Sequence, residues 1–322
     1  MNINRRQWLQ YTGSAVAGIM SQPLIAEEKS KGLLFDISLA EWSLHKGIRK
    51  EAGAEVFEHL DFCKISRQLG IGGVEYVSTF FKDKAKNADY LKEMKMRQDG
   101  EGVKGLLIMV DGEGALGEDD ATKRATVIEN HKKWLDAAVA LGCHSIRVNA
   151  QTKPTFSFDE QMKHAADGLA LLAAEADQRG LYLVVENHGG LSSNGLWLSG
   201  VMKMANHSRL GILPDFGNFY TNRNTGECYN PYKGLSEFLP FVKQAVSAKA
   251  YDWDTGAGPY YTQDMRKDRE MILDYERLIG MVVKSGYRGF IGIEYEGDKQ
   301  TELEGIKYTK RVLEEIRAKL TV

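Results

Sequence analysis

The chain is poor in cysteine, in excess positive charge and in long apolar runs, and each shortage closes off a class of function. Cys63, Cys143 and Cys228 are the three cysteines among 322 residues. Odd in number and far apart, they form neither a disulfide framework nor a Cys-x-x-Cys site. Cys63, in "HLDFCKISRQLG", reads as a helix core residue and Cys143 as packing at a strand entrance. Lysine and arginine number 42 against 44 aspartate and glutamate, a formal charge of −2. No basic cluster interleaves with aromatics, so a nucleic-acid backbone is excluded as a partner and a small neutral or polar ligand is favoured. A mean hydropathy of −0.36 argues against several membrane spans.

What is present begins with "NRRQWLQYTGSAVAGIMSQPLIA". Paired Arg5 and Arg6 precede an uncharged, mildly apolar run that ends in small residues at Ala26, the pattern of a twin-arginine export signal over residues 1–26. Gln10, Thr12, Gly13, Ser14, Ser21, Gln22 and Pro23 make the same run a poor membrane anchor. The expectation is a periplasmic or otherwise exported protein with no stable span after cleavage. The rest, 33–322, is expected to be one domain.

Within it one unit recurs: an amphipathic helix, a glycine at its end, a short connection, then an apolar strand that finishes in polar residues. "RQLGIGGVEYV", "VALGCHSIRVNA", "DQRGLYLVVENH" and "VKSGYRGFIGIEYEG" are four copies, with Gly70, Gly142, Gly180 and Gly286 placed to end the helices in left-handed backbone. Strands are expected near 33–39, 73–78, 103–110, 144–149, 181–187, 210–215, 245–251 and 289–295. Such alternation predicts a (β/α)8 TIM barrel. His131 and His164 fall on the helices between and are expected to be solvated. "DGEGALGEDDA" and "YDWDTGAGPYYTQDMRKD" read as loops.

Strand side chains alternate, so residues two apart share a face, and in a barrel one face points into the lumen. Ser145, Arg147 and Asn149 share a face on strand four, as do Glu186 and His188 on strand five and Ser247, Lys249 and Tyr251 on strand seven. Glu294 on strand eight, Glu75 on strand two and Asp215 at the end of strand six complete a polar crown at the C-terminal mouth, where barrel enzymes keep their chemistry. Carboxylates on strands five, six and eight would repel one another without a cation among them. One divalent ion, Mn²⁺ or Mg²⁺ before Zn²⁺, is the economical partner; Arg147 and Lys249 are the alternative one.

The segments "VVENHGG", "LPDFGNF", "VSAKAYDWD" and "GFIGIEYEGD" resemble the xylose-isomerase-like barrels of the sugar phosphate isomerase/epimerase superfamily. That resemblance implies one divalent metal held by Glu186, Asp215 and Glu294. The family's strand-seven histidines are replaced, by Ser247 and Lys249. A protonated lysine cannot ligate a metal, so His188 or water would complete the shell.

The resemblance further implies proton abstraction beside a sugar carbonyl through an enediolate, with Glu186 and Glu294 exchanging the proton and Lys249 as base or oxyanion clamp, its pKa lowered beside a cation. His188, Arg147, Asn149 and Glu75 are the expected substrate contacts. Of the loop aromatics Trp42, Trp253, Tyr260 and Tyr261, Trp253 is chosen as the sugar-stacking residue. No phosphate-binding glycine loop opens a helix after the last two strands, which favours an unphosphorylated carbohydrate. Two other outcomes stay open: a 3-keto-glycoside lyase that expels the C1 substituent by β-elimination, and a metal-free sugar-binding relic. A related zinc-cluster endonuclease barrel is disfavoured by seven mostly helical histidines and the acidic balance.

Overall fold

The computed structural model describes residues 32–253, 256, 258–264 and 271–320, so the paired-arginine segment lies outside it. Eight parallel strands follow one another around a barrel: β1 (Asp36–Ala40), β2 (Gly73–Val77), β3 (Lys104–Met109), β4 (Ser145–Asn149), β5 (Tyr182–Glu186), β6 (Leu210–Leu213), β7 (Ala245–Ala250) and β8 (Phe290–Tyr295). Sequence neighbours pair from β1 through β6 and again at β7 and β8, and β8 pairs with β1 with Ser38 opposite Gly292. Isolated parallel bridges, Ile212 to Val242 and Asp215 to Ser247, close the gap between β6 and β7.

A helix follows every strand: α1 (Phe62–Gln68), α2 (Ala88–Gly100), α3 (Ala121–Leu141), α4 (Phe158–Asp177), α5 (Gly195–Ala205), α6 (Pro231–Phe238), α7 (Tyr275–Lys284) and α8 (Glu302–Leu320). Short polar residues start them. Asn87, Asp120, Asn194, Asn230 and Asp274 each accept a backbone N–H from the first turn, and Ser157 with Glu160 forms a reciprocal capping box. Gly70, Gly142, Gly180 and Gly286 all have positive φ, between 69° and 90°, as their positions in the repeated unit require. No helix among the described residues is long and apolar enough to cross a membrane.

The alternation sorts two cores. Val74, Tyr76, Ile146, Val148, Val185, Val246, Ile291 and Ile293 point out and pack under the helices, with Trp134 and Trp197 fully buried among them. Val77, Leu107, Met109, Val184, Leu213 and Ala245 point in and form a smaller apolar plug. Full burial of one such side chain contributes about 2 kcal/mol, and the cluster reaches the level of the polar groups, with Met109 beside Arg147 and Leu213 beside Glu186 in register. Cys63 and Cys143 are buried, as expected of packing residues. His131 differs from expectation. It lies on the inward face of α3, 3% exposed, where its Nδ1 meets the Val127 carbonyl of the preceding turn at 2.7 Å.

Glu75 on β2 lies in the lumen in contact with β1 and β8. Its carboxyl bends down over Gly292 and Oε1 accepts the Ser38 hydroxyl at 2.6 Å. A Cβ at Gly292 would stand 2.3 Å from that oxygen, so the glycine makes the space that the carboxyl fills. At 1% exposed, Glu75 is a buried lumen residue. Burial pushes its carboxyl up to about 7, against the lowering effect of the Ser38 bond. A carboxyl raised in the folded state stabilises fully below its unfolded pKa, and that contribution is lost as pH rises through the folded value. From pH 5 to 8 the wild type should therefore lose about 2 kcal/mol more unfolding free energy than Glu75→Gln. Parallel pH-stability curves from denaturant titrations would show that Glu75 is not the titrating group.

Candidate functional site

The stretch "VVENHGG" leaves β5 with three polar residues that serve three different directions. Glu186 points into the lumen, where Arg147 Nε lies 2.7 Å from Oε2 and the Asn218 amide donates to Oε1 at 2.9 Å. Asn187 points the other way. Its amide donates to the Asp215 and Asn218 carbonyls and its oxygen accepts the Asp215 N–H, which pins the turn after β6. His188 returns to the lumen side and lines the cavity wall.

That pinned turn positions Asp215, whose Oδ1 accepts the Gly217 and Asn218 backbone N–H groups at 2.8 and 2.9 Å. Its Oδ2 faces β7, where the Ser247 hydroxyl lies 3.1 Å from both Asp215 Oδ2 and Glu294 Oε2. Lys249, one alternation further along β7 and opposite Glu294 in register, places Nζ 2.7 Å from Glu294, 3.1 Å from Glu296 and 3.6 Å from Asp215. Glu186, Asp215 and Glu294 each offer a carboxylate oxygen within 4.8 Å of the others, close enough for one ion to touch all three. The donor set, three buried hard oxygens beside a hydroxyl, suits a divalent oxygen-seeking metal. His188 is not in that group of ligands.

Burial alone would raise Glu186, but the Arg147 guanidinium, aided by His188 and Lys249, holds its carboxyl below the usual range. Burial keeps Asp215 and Glu294 raised despite Lys249. For Lys249 burial works downward and is outweighed by Asp215, Glu294 and Glu296, so the ammonium is held more firmly than usual. Three carboxylates surround the ammonium, and a lysine so held is a charged clamp. Burial keeps His188 low, hence neutral near pH 7.

Above these groups opens a cavity of about 480 Å³ lined by Trp42, His45, Asp111, Arg147, His188, Asn218, Arg223, Lys249, Glu294 and Glu296. Five of these, His45 among them, went unrecognised in the sequence. Asp111 ends β3 in the same apolar-to-polar manner as the other strands, and it ties Arg147 and Asn149 together at 2.9 and 2.7 Å. Glu296 follows Glu294 by two, the same alternation that identified Glu294. Asn218 and Arg223 sit in the loop after β6 and carry no periodic signal.

The choice of Trp253 is corrected: it is 2% exposed, donates to Thr309 on α8 and stacks on Tyr308. Its ring supports the barrel wall. Trp42 is the aromatic at the mouth, stacked on His45, capped by Arg49 and hydrogen-bonded to Glu296. Residues flanking Trp253 in sequence gave no means of separating the two, since both lie just beyond strand ends.

The sequence matches the family described as xylose isomerase-like TIM barrel over residues 63–317. The chain belongs to that family. A 3-keto-D-glucoside 4-epimerase from E. coli superposes with a TM-score of 0.63 at 15% identity, covering 88% of this chain and 99% of that one. A magnesium complex of a xylose isomerase-like TIM barrel protein from Mycobacterium smegmatis gives 0.64 at 15% identity, covering 88% and 97%. The zinc-bound IOLI protein gives 0.64 at 14% identity, covering 88% and 99%. Identities this low speak to the fold. No curated protein sequence matches significantly.

Lys249 and an ion in the acidic triad would draw on the same carboxylates, so the two compete. Lys249→Met should therefore tighten Mn²⁺ binding about tenfold or more, read by titration calorimetry on the full chain. Unchanged or weaker binding would mean that the ammonium stands clear of the ion.

Proposed function

We propose that the protein is an exported, divalent-metal-dependent sugar isomerase or epimerase-like enzyme that removes a proton beside a carbonyl of an unphosphorylated sugar. The observation that carries this reading is the convergence of Glu186, Asp215 and Glu294 within 4.8 Å, with Glu294 lining a cavity that Trp42 also borders. Export rests on the paired arginines and the uncharged run that follows them.

Glu186, Asp215 and Glu294 would hold the metal, Mn²⁺ or Mg²⁺ by donor chemistry, with Zn²⁺ also compatible. When bound, such an ion polarises the sugar carbonyl. Glu186, kept ionised by Arg147 and oriented by Asn218, accepts the proton from the adjacent carbon. Glu294, the carboxyl facing it across the triad, is the group that returns a proton to the carbon. Lys249 brings fixed positive charge to the developing oxyanion.

The same pair of groups serves two outcomes. Reprotonation of the carbon from the opposite face inverts it. In a 3-keto-glycoside, loss of the C2 proton to Glu186 can instead break the C1–O bond, the electron pair leaving with the aglycone oxygen, which takes the Glu294 proton. That lyase reading is the alternative, and the presence of a 3-keto-D-glucoside 4-epimerase among the structural neighbours supports testing such substrates first.

The test is incubation of the Mn²⁺-loaded protein with ketoses and 3-keto-glucosides in D₂O, followed by NMR. Deuterium should enter beside the carbonyl, and Glu294→Gln should reduce product formation about a thousandfold, the scale on which a general acid acts. Unchanged turnover by Glu294→Gln would remove it from the reaction. Inverted sugar identifies an epimerase, and released aglycone with an unsaturated sugar identifies a lyase.

A further inference from the structure

Beside the catalytic cavity lies a second compartment of about 520 Å³, between the ends of β4 and β5, and His188 lines both. Nothing in the reaction described above uses it. Its lining is unlike the charged base of the first cavity. Asn149, Gln151 and Thr152 from the loop after β4 supply neutral polar groups, and Phe158, the first residue of α4, stands 41% exposed against them. Gly189 and Gly190, whose φ values of +97° and +60° favour glycine, line the compartment too, with the Arg223 guanidinium against Gly189. Asn149 spends its amide on Asp111, and its buried Oδ1 has no hydrogen-bond partner among the described residues.

An exposed aromatic ring among uncharged hydrogen-bonding groups suits one class of ligand, a sugar ring, which offers an apolar C–H face and a rim of hydroxyls. Charged ligands find no counter-ion in this lining, and a purely apolar one would strand Asn149, Gln151 and Thr152. The two spaces meet at His188, so a ring in each would belong to one molecule.

The geometry points to a glycoside substrate, with its carbonyl-bearing ring over the acidic triad and the linked second ring in the compartment formed by Asn149, Thr152, Phe158 and Gly189–Gly190. This rests on the reading of the first cavity as the sugar-enolising centre. It makes Phe158 a residue that selects for a second ring, and it assigns His188 to the junction beside the linkage.

The experiment is calorimetric titration of the full chain with glucose, maltose and cellobiose. At least one disaccharide should bind about tenfold tighter than glucose, since stacking and two or three hydrogen bonds in a second subsite are worth on that order. Phe158→Ala should cut the disaccharide-to-glucose affinity ratio by about fivefold or more, and Phe158→Trp should keep it. Equal affinity for all three sugars, no binding of either disaccharide, or a ratio indifferent to Phe158→Ala would overturn the inference. Because the readout is binding, it separates from the reaction. Deuterium exchange without disaccharide preference sinks the second subsite alone, whereas disaccharide preference without exchange sinks the enolising chemistry and leaves the two-ring cleft.

Discussion

The interior of the barrel depends on how five buried charges are balanced. Glu186, Asp215 and Glu294 converge on one point, and Arg147 and Lys249 enter from β4 and β7 to meet them. In a low-dielectric lumen neither set is tolerable without the other, because an ion left alone there loses its hydration with nothing in exchange. Much of the surrounding architecture follows from that requirement. Asn187 pins the turn that aims Asp215, Asp111 gives Arg147 a second anchor, and apolar Met109 and Leu213 flank Arg147 and Glu186 on the neighbouring strands.

Lys249 gives this site its particular character. In the resemblance drawn from the sequence, strand seven carries histidine where this chain has Ser247 and Lys249. The ammonium supplies fixed positive charge, and the hydroxyl bridges two carboxylates. An ion bound by the same carboxylates is therefore in competition with a resident cation, which couples metal affinity to the position of one side chain. The contact with Glu296 matters here, because it holds Lys249 to the outer edge of the cluster as well as to its centre.

The cleft reads as two chemically distinct rooms. The first is charged, narrow at its base and overlooked by Trp42; the second is neutral, with Phe158 as its aromatic surface. The proposed function would use both, since activation of a carbonyl needs charge whereas recognition of an unreactive ring needs only stacking and neutral hydrogen bonds.

The repeated helix, glycine and strand unit and the two-residue alternation within strands were legible in the sequence, because each is a local rule of backbone geometry. They determined the barrel, the helix-ending glycines and the inward face that carries Arg147, Glu186, Lys249 and Glu294. Tertiary structure decided what happens beyond the last strand residue. Trp42 and Trp253 are alike in sequence, yet one faces the cavity and the other is locked against Thr309, since loop direction is set by what packs beneath it. Glu75 obeyed the alternation and still turned away from the mouth, because Gly292 on a neighbouring strand left it a space to fill. Pairings between residues distant in the chain, such as Lys249 with Glu294 or Arg147 with Asp111, exist only once the barrel closes, and alternation along a single strand carries no record of them.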